Sequence, residues 1–318
     1  MFLGPSWRQL APLLVLLLVG LLLPRFAADY FLFVGNLLMM YAVLAIGLDL
    51  LIGWAGQFAF AHIAFFGIGA YGTALFQMRL GLPWVVSMPL AAMLAGLVGV
   101  LIALPTMRMR SVYLALATFA FAEAAKWVFN SWTEVTGGPD GLRLPTPVIF
   151  GYRAGTDPSA FPLLAVIFAG VIAATLYIVT SKFGRAMCAI RESEHVAAAS
   201  GIHVARTKVL AFAVSAIYAG IAGGMLTLFQ AFFNPEVFSF GQVVLVLSMM
   251  VVGGMGTLPG VLIGVLLIGL LPELMRTAMR ELLVWQELVY GLILMLFMMF
   301  MPRGIWGLMQ QKLWSKRA

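Results

Sequence analysis

The sequence predicts an all-α membrane protein, a polytopic helix bundle of about ten segments of which some are broken or re-entrant. Hydrophobic residues make up 63% of the 318 residues and charged residues only 10%. The mean hydropathy is +1.04. A soluble domain cannot bury that much apolar surface, whereas membrane spans of about 20 apolar residues account for it directly. Residues 1–318 are therefore predicted to form a single transmembrane domain.

Ten apolar segments follow one another along the chain. They lie near Leu10–Phe26, Tyr30–Ile52, Trp54–Phe76, Val85–Leu104, Val112–Phe129, Phe161–Val179, Val209–Phe229, Phe238–Val252, Leu258–Leu271 and Leu288–Met301. The first follows Arg8 as a signal peptide would. Its end, Pro24-Arg25-Phe26, is not a small-residue cleavage site, so we expect this segment to remain as a span.

The basic residues predict how the bundle is oriented. An even number of spans places both termini on one side of the membrane. With the amino terminus inside, twelve basic residues fall at inner positions and six at outer positions, which is the bias expected for cytoplasmic loops. Both termini are therefore predicted to be cytoplasmic, and the net charge of +7 indicates membrane orientation rather than nucleic-acid binding.

The longest polar interruption is the 182–208 loop, predicted to be cytoplasmic. Ser193 can cap a helix that begins at Glu194, and Gly201 offers the left-handed residue that ends it. Ala197–Ala199 make this helix thin, so that the groove of another protein could close around it. The pattern predicts either a short helix presented to a partner or an ordinary connecting loop.

Two glycine-rich junctions separate apolar segments without a charge. One is Gly53–Gly56 and the other is Gly253–Gly256. Such breaks are typical of discontinuous or re-entrant helices, which a membrane tolerates where protein or water shelters the freed backbone groups. Breaks in corresponding places of two halves also indicate a transport path. The alternative is a tight hairpin at the inner surface.

A few polar residues lie within or beside the apolar segments. Gln57 and His62 follow the first break directly, so they join Gly53 and Gly56 as candidates for the translocation path. For His62 the alternative is a hydrogen-bonded packing residue. Asp49 is expected about one turn from the inner boundary, with a structural role.

Two further patterns predict structure rather than chemistry. Glu123 and Lys126, three residues apart on one helical face, are expected to neutralise each other. Gly67, Gly69 and Gly72 predict a close contact between helices.

Enzyme motifs are absent from the sequence. It contains no G-x-x-x-x-G-K-[ST] phosphate loop, so the chain cannot itself be a P-loop ATPase. The single cysteine, Cys188, excludes an intrachain disulfide and a multi-cysteine metal site. The TGGPDG run, Thr136–Gly141, lies in the 130–160 loop, which is predicted to be external, and favours a turn. No catalytic residue, metal site or cofactor is expected in this chain.

Four stretches of the sequence, taken together, resemble a known protein family. The first is GLDLLIGWAGQFAFAHIAFFGIGAY, and the second is VYLALATFAFAEAAKWVFNSWTEVTGGPDGL. The third is FGRAMCAIRESEHVAAASGIHVARTKVLAFAVSAIYAGIAGG, and the last is VGGMGTLPGVLIGVLLIGLLPE. They cover well over a third of the chain, in order, and TGGPDG is the most distinctive part. They resemble the LivM-type permease subunits of branched-chain amino-acid ABC importers. The chain departs from the family at Asp49, where Asn is usual, and at Ala59 and Ala61, where Ser and Gly are usual.

The resemblance implies a multi-subunit transport complex and the partners of this chain in it. The 193–201 helix would be the EAA-type coupling helix, with Glu194, Ala198, Gly201 and Arg191 at the interface with the ATPase. Two separate cytoplasmic ATPases would bind ATP and Mg²⁺, a homologous second permease would complete a heterodimer, and a periplasmic protein would deliver substrate. The location would be a bacterial inner membrane, in contact with lipid.

Other functions stay open at this point. A permease of the same superfamily could carry urea or aromatic and other small acids. An ion-coupled secondary transporter is a different class, and it would need a more compelling buried carboxylate site than the sequence offers. A purely structural membrane scaffold is a third class.

Overall fold

The computed structural model describes residues 20, 24, 27–106, 109, 111–144, 147–149, 152–153, 157–272, 285–301 and 304–315. In chain order the helices are α1 Asp29–Asp49, α2 His62–Leu80, α3 Trp84–Thr106, α4 Ser111–Ser131, α5 Thr133–Thr136, α6 Asp157–Thr180, α7 Lys182–Glu192, α8 Glu194–Ala199, α9 Val204–Phe229, α10 Phe240–Gly253, α11 Leu258–Gly269, α12 Gln286–Phe300 and α13 Gly304–Ser315. The strands among the described residues are β1 Leu142–Arg143, β2 Val148–Ile149, β3 Tyr152–Arg153 and β4 Phe232–Phe233. β1 pairs with β4 and β2 with β3, both antiparallel.

The helices confirm the predicted membrane bundle. Each predicted segment from the second to the tenth overlaps a helix, and the first, Leu10–Phe26, lies almost entirely outside the described residues. Among the described residues, 6 helices are long and apolar enough to cross a membrane. Helices α10 and α11 are shorter, at 14 and 12 residues, as expected for a span that is interrupted.

Helix α9 lies at the centre of the bundle and packs against α1, α2 and α3. Small residues permit the close approach of α2. A Cβ added to Gly69 would lie 2.5 Å from the Cα of Gly220 in α9, and one added to Gly72 would lie 3.0 Å from Ala91 in α3. Gly67 packs against an aromatic ring of α4. The predicted glycine contact surface of α2 is therefore confirmed, because a larger residue would push the helices apart.

The TGGPDG run forms the predicted turn. Gly137 and Gly141 have φ angles of 74° and 69°, a backbone region that favours glycine. The Thr136 hydroxyl donates a hydrogen bond to the carbonyl of Phe129 at 2.7 Å and accepts one from the N–H of Gly138 at 3.2 Å. The turn leads directly into β1, so it connects the end of α4 to the small β1–β4 sheet.

The third predicted segment began too early. We predicted Trp54–Phe76, but α2 begins at His62. The polypeptide continues from α1 through a π-helix, Leu50–Trp54, and then runs without regular structure to residue 61. Hydropathy cannot find this boundary, because residues 55–61 are nearly as apolar as the helices that flank them.

The predicted pairing of Glu123 with Lys126 was wrong. The ammonium of Lys126 lies 3.2 Å from Oε2 of Glu236, in the 3-10 segment that follows β4, and Glu123 is exposed. Helical spacing allows a pair of this kind but does not impose it, since a long lysine side chain also reaches neighbouring elements.

Candidate functional site

The 182–208 loop contains two helices separated by a single residue. Ser193 is both the C-cap of α7 and the N-cap of α8, and its hydroxyl accepts a hydrogen bond from the N–H of Val196 at 3.4 Å. Gly201 follows with a φ angle of 82°. Both local predictions, the cap and the left-handed stop, are confirmed. The loop is therefore an ordered structure in which α8 is fixed to the end of α7.

The predicted interface residues of α8 differ in their surroundings. Ala198 and Gly201 are exposed, and no described residue lies within 4 Å of where a Cβ on Gly201 would be. Ala197, by contrast, is buried against the bundle. A surface groove runs beside Ala198, lined also by Ile202 and Arg206. The exposed side of α8 therefore carries small side chains and lies next to a surface groove.

Glu194 is tied to the bundle rather than free. Its Oε1 lies 2.5 Å from the ammonium of Lys208, in the first turns of α9. This role of Lys208 was not predicted from the sequence. Two features of the sequence could have indicated this ion pair. Lys208 immediately precedes a long apolar segment, and it lies fourteen positions after Glu194, an acid at the start of a helix.

Arg191 points toward the bundle. Its guanidinium donates a hydrogen bond to the carbonyl oxygen of Gly53, in the first break. A Cβ on Gly56 would lie 3.1 Å from the Cγ of Arg191, so the backbone at Gly56 packs directly on this side chain. Two predicted path residues, Gly53 and Gly56, are therefore in contact with a residue predicted for the ATPase interface.

Asp49 joins the two glycine-rich breaks. Its Oδ1 accepts a hydrogen bond from the N–H of Gly256 at 2.8 Å. Asp49 is buried, and a Cβ on Gly53 would lie 2.6 Å from the nitrogen of Gly256. Each break was predicted from the sequence, but the contact between the two breaks was not.

Gln57 lies in the irregular stretch before α2 and is buried. In the described part of the chain its Nε2 has no hydrogen-bond partner. It faces a cavity of about 10 Å³, lined by Gln57, Ala103, Thr106, Met109, Leu114, Lys208 and Phe212. That volume is roughly the space of one water molecule. Gln57 is thus the predicted path residue that has hydrogen-bonding capacity to spare.

His62 has both ring nitrogens engaged. Nε2 lies 2.8 Å from the carbonyl oxygen of Leu44 in α1, and Nδ1 lies 3.1 Å from the hydroxyl of Ser215 in α9. The residue is buried at the start of α2. This geometry holds three helices together, and it leaves His62 without a free nitrogen toward a cargo in this conformation.

The contacts described above attach the α7–α8 loop to the bundle. Among the described residues no group of three or more His, Cys, Asp or Glu side chains could hold a metal ion. Two polar contacts join α7 and α8 to the bundle among the described residues, one from Arg191 to the first break and one from Glu194 to α9. A force applied to α8 therefore has two direct routes into the helices.

Comparison with known proteins gives a consistent result. A family model described as the permease component of the branched-chain amino acid transport system matches residues 11–298. The chain is 32% identical to the high-affinity branched-chain amino acid transport system permease protein LivM of Escherichia coli (strain K12), over 95% of this chain and 76% of the relative. It is 27% identical to LivH of the same organism, over 84% of this chain and 91% of the relative. No solved structure matches the chain.

Proposed function

Since this chain belongs to the family of branched-chain amino acid transport permeases, we propose that it lines one half of the translocation route in a binding-protein-dependent ABC importer. It is a multi-pass membrane protein and a permease subunit. Its cargo is branched-chain or related hydrophobic amino acids, which it moves across the inner membrane, with both termini on the cytoplasmic side.

The proposed second half of the route is a homologous permease. The chain is similar to both LivM and LivH, each of which is named as a permease protein of a high-affinity branched-chain amino acid transport system. The identity to LivM is higher and extends over more of this chain, which favours the LivM position for it. A LivH-like subunit is then the partner in a heterodimer.

The proposed energy source is a pair of separate ATPases that bind ATP and Mg²⁺. The chain has no phosphate loop of its own, so nucleotide hydrolysis must occur on another subunit. The observation that carries the proposal is the ordered α7–α8 loop, which presents Ala198 and Gly201 at the surface while Glu194 and Arg191 hold it to the bundle. In this proposal α8 is the coupling helix and seats in the ATPase.

The mechanism follows from a bundle with two arrangements. A periplasmic binding protein delivers the amino acid to the outer face. ATP binding closes the two ATPases and moves the coupling helices, which biases the spans between outward and inward access. The glycine breaks supply the interrupted helices that such a change requires. Beside them Gln57 supplies a polar side chain whose Nε2 has no hydrogen-bond partner among the described residues.

The alternatives receive less support. Urea or aromatic-acid permeases would show the same architecture, but both the matching family and the similar relatives are described by branched-chain amino acids. An ion-coupled secondary transporter needs a carboxyl group free to bind its ion. Asp49, the buried carboxyl residue of the described helices, accepts a hydrogen bond from the N–H of Gly256 instead.

The decisive experiment is transport in proteoliposomes. The vesicles contain this chain, its LivH-like partner and both ATPases, with the binding protein outside and ATP inside. We expect radiolabelled leucine to enter only when ATP and the binding protein are both present. Uptake by this chain alone under a proton or sodium gradient would contradict the proposal and favour a secondary transporter.

A further inference from the structure

Resting on the proposed function, we infer that Arg191 and Asp49 form a latch that moves both broken helices together when the coupling helix moves. Arg191 joins α7 to the first break, and Asp49 joins the first break to the second. Neither residue contacts cargo in this proposal. Both are positioning residues.

The first contact of the latch satisfies a backbone group that the break has freed. The carbonyl of Gly53 lies in the π-helix at the end of α1, where regular helix hydrogen bonding stops at Trp54. Arg191 donates to this carbonyl from a neighbouring helix. A hydrogen bond from a charged donor is stronger than one between neutral groups, so the contact is suited to carry a displacement.

The second contact joins elements that are far apart in sequence. Asp49 and Gly256 are separated by 207 positions, and each belongs to a different broken helix pair. Gly256 has a φ angle of 75°, and a Cβ placed on it would lie 2.8 Å from a guanidinium nitrogen of Arg191. The two breaks and the arginine therefore meet at one point, with no room for side chains at the glycines.

The position of Arg191 in the chain links the latch to α8. It lies two residues before Ser193, which ends α7 and caps α8. A shift of α8 therefore moves Arg191 with almost no intervening flexible chain. Because the guanidinium holds Gly53 and Asp49 holds Gly256, the shift reaches α1 and α11 at the same time.

The test measures coupling rather than folding. In the proteoliposomes of the complete complex, Arg191→Gln is expected to lower the number of leucine molecules imported per ATP hydrolysed by about five- to tenfold, the lower range of coupling between two sites. Arg191→Lys keeps a charged donor and is expected to recover part of the loss. Arg185→Gln is the matched control, since Arg185 lies on the same helix and bonds only to the nearby carbonyl of Thr180 among the described residues.

Substitutions of Asp49 test the second contact. Asp49→Asn keeps an oxygen that accepts from Gly256 and is expected to retain most of the import per ATP, whereas Asp49→Ala is expected to lose it. Combined with Arg191→Gln, Asp49→Ala should add little further loss, because residues that act as one unit are not additive. If the double variant instead lost import per ATP by the product of the two single losses, the two residues would act independently and the single latch would be contradicted.

A measurement on the unaltered complex keeps the inference testable if a variant fails to assemble. Hydrogen–deuterium exchange is followed with and without a non-hydrolysable ATP analogue. We expect the amides of residues 53–57 and 254–257 to change protection together when the nucleotide binds. A change in only one break, or in neither, would overturn the latch.

The two proposals fail in different ways. Absence of ATP-dependent uptake by the unaltered complex would contradict the proposed function itself. Normal uptake by the unaltered complex, with an equal import-to-hydrolysis ratio in Arg191→Gln, would leave that function intact and eliminate the latch alone.

Discussion

Lys208, in the first turns of central helix α9, forms an ion pair with Glu194, the first residue of α8, with Nζ and Oε1 2.5 Å apart. The Lys208 side chain is only 11% exposed, whereas that of Glu194 is 55% exposed. An ammonium group removed from water needs an opposite charge beside it. Lys208 therefore fixes the start of α8, and it also lines the cavity that Gln57 faces.

The first prediction concerns this ion pair. Glu194→Gln leaves the Lys208 ammonium without its counter-charge, so we expect α8 to loosen and ATP-driven leucine uptake to fall several-fold. Because Glu194 is more than half exposed, the loss of stability should be modest, about 1 kcal/mol. The measurements are uptake and the thermal unfolding of the purified complex. Glu192→Gln, at an exposed neighbouring acid, is the control, and equal uptake in the two variants would contradict a role for the pair.

A second prediction concerns the contact between α2 and α9. Gly69→Leu inserts a side chain where the backbone of Gly220 already lies, so the helices must separate. Overpacking of this kind costs about 1–3 kcal/mol or more. We expect a large loss of folded protein in detergent, measured by size-exclusion chromatography. Gly170→Ala, a helical glycine of α6 with nothing within 4 Å of the new Cβ, is the control and should be neutral or slightly stabilising. Similar losses in both would contradict the packing argument.

Local features of this protein were predictable from the sequence. The Ser193 cap, the Gly201 stop and the TGGPDG turn each depend on backbone requirements of a few adjacent residues. The apolar helices could be located from hydropathy because hydropathy is also a local property of the sequence, although the start of α2 could not. The α2 glycine surface was also predictable, since small residues at short helical spacing have few other uses in a membrane.

Features that depend on distant parts of the chain were not predictable. The contact between Asp49 and Gly256 requires knowing which broken helices are neighbours, and Lys126 pairs with Glu236 because a later loop folds beside it. Arg191 was assigned to the ATPase interface from the resemblance, while its guanidinium lies against the first break. A charged residue in a loop does not disclose whether it faces outward or toward the bundle.

A third prediction follows from the environment of Cys188. Burial raises the pKa of this thiol above its ordinary value, by more than the nearby charge of Arg191 lowers it. Since the thiolate is the reactive form, labelling by a maleimide should be slow near neutral pH and should still accelerate above about pH 8.5, the ordinary thiol pKa. The comparison is Ser200→Cys in a Cys188→Ser background, at an exposed position of the same loop. Faster labelling of Cys188 than of this exposed thiol would contradict the prediction.

The last prediction tests α8 as the coupling helix. Gly201 has a φ angle of 82° and open space around it, so a substitution acts through the backbone and not through a clash. Valine in this left-handed region costs about 1–2 kcal/mol or more, whereas asparagine tolerates it. We expect Gly201→Val to insert into the membrane normally and to uncouple ATP hydrolysis from uptake, because the end of α8 would be displaced from the ATPase. Gly201→Asn should keep most of the uptake. Uptake and the ATPase rate are measured in the same proteoliposomes. Full uptake by Gly201→Val would contradict the assignment of α8 as the coupling helix.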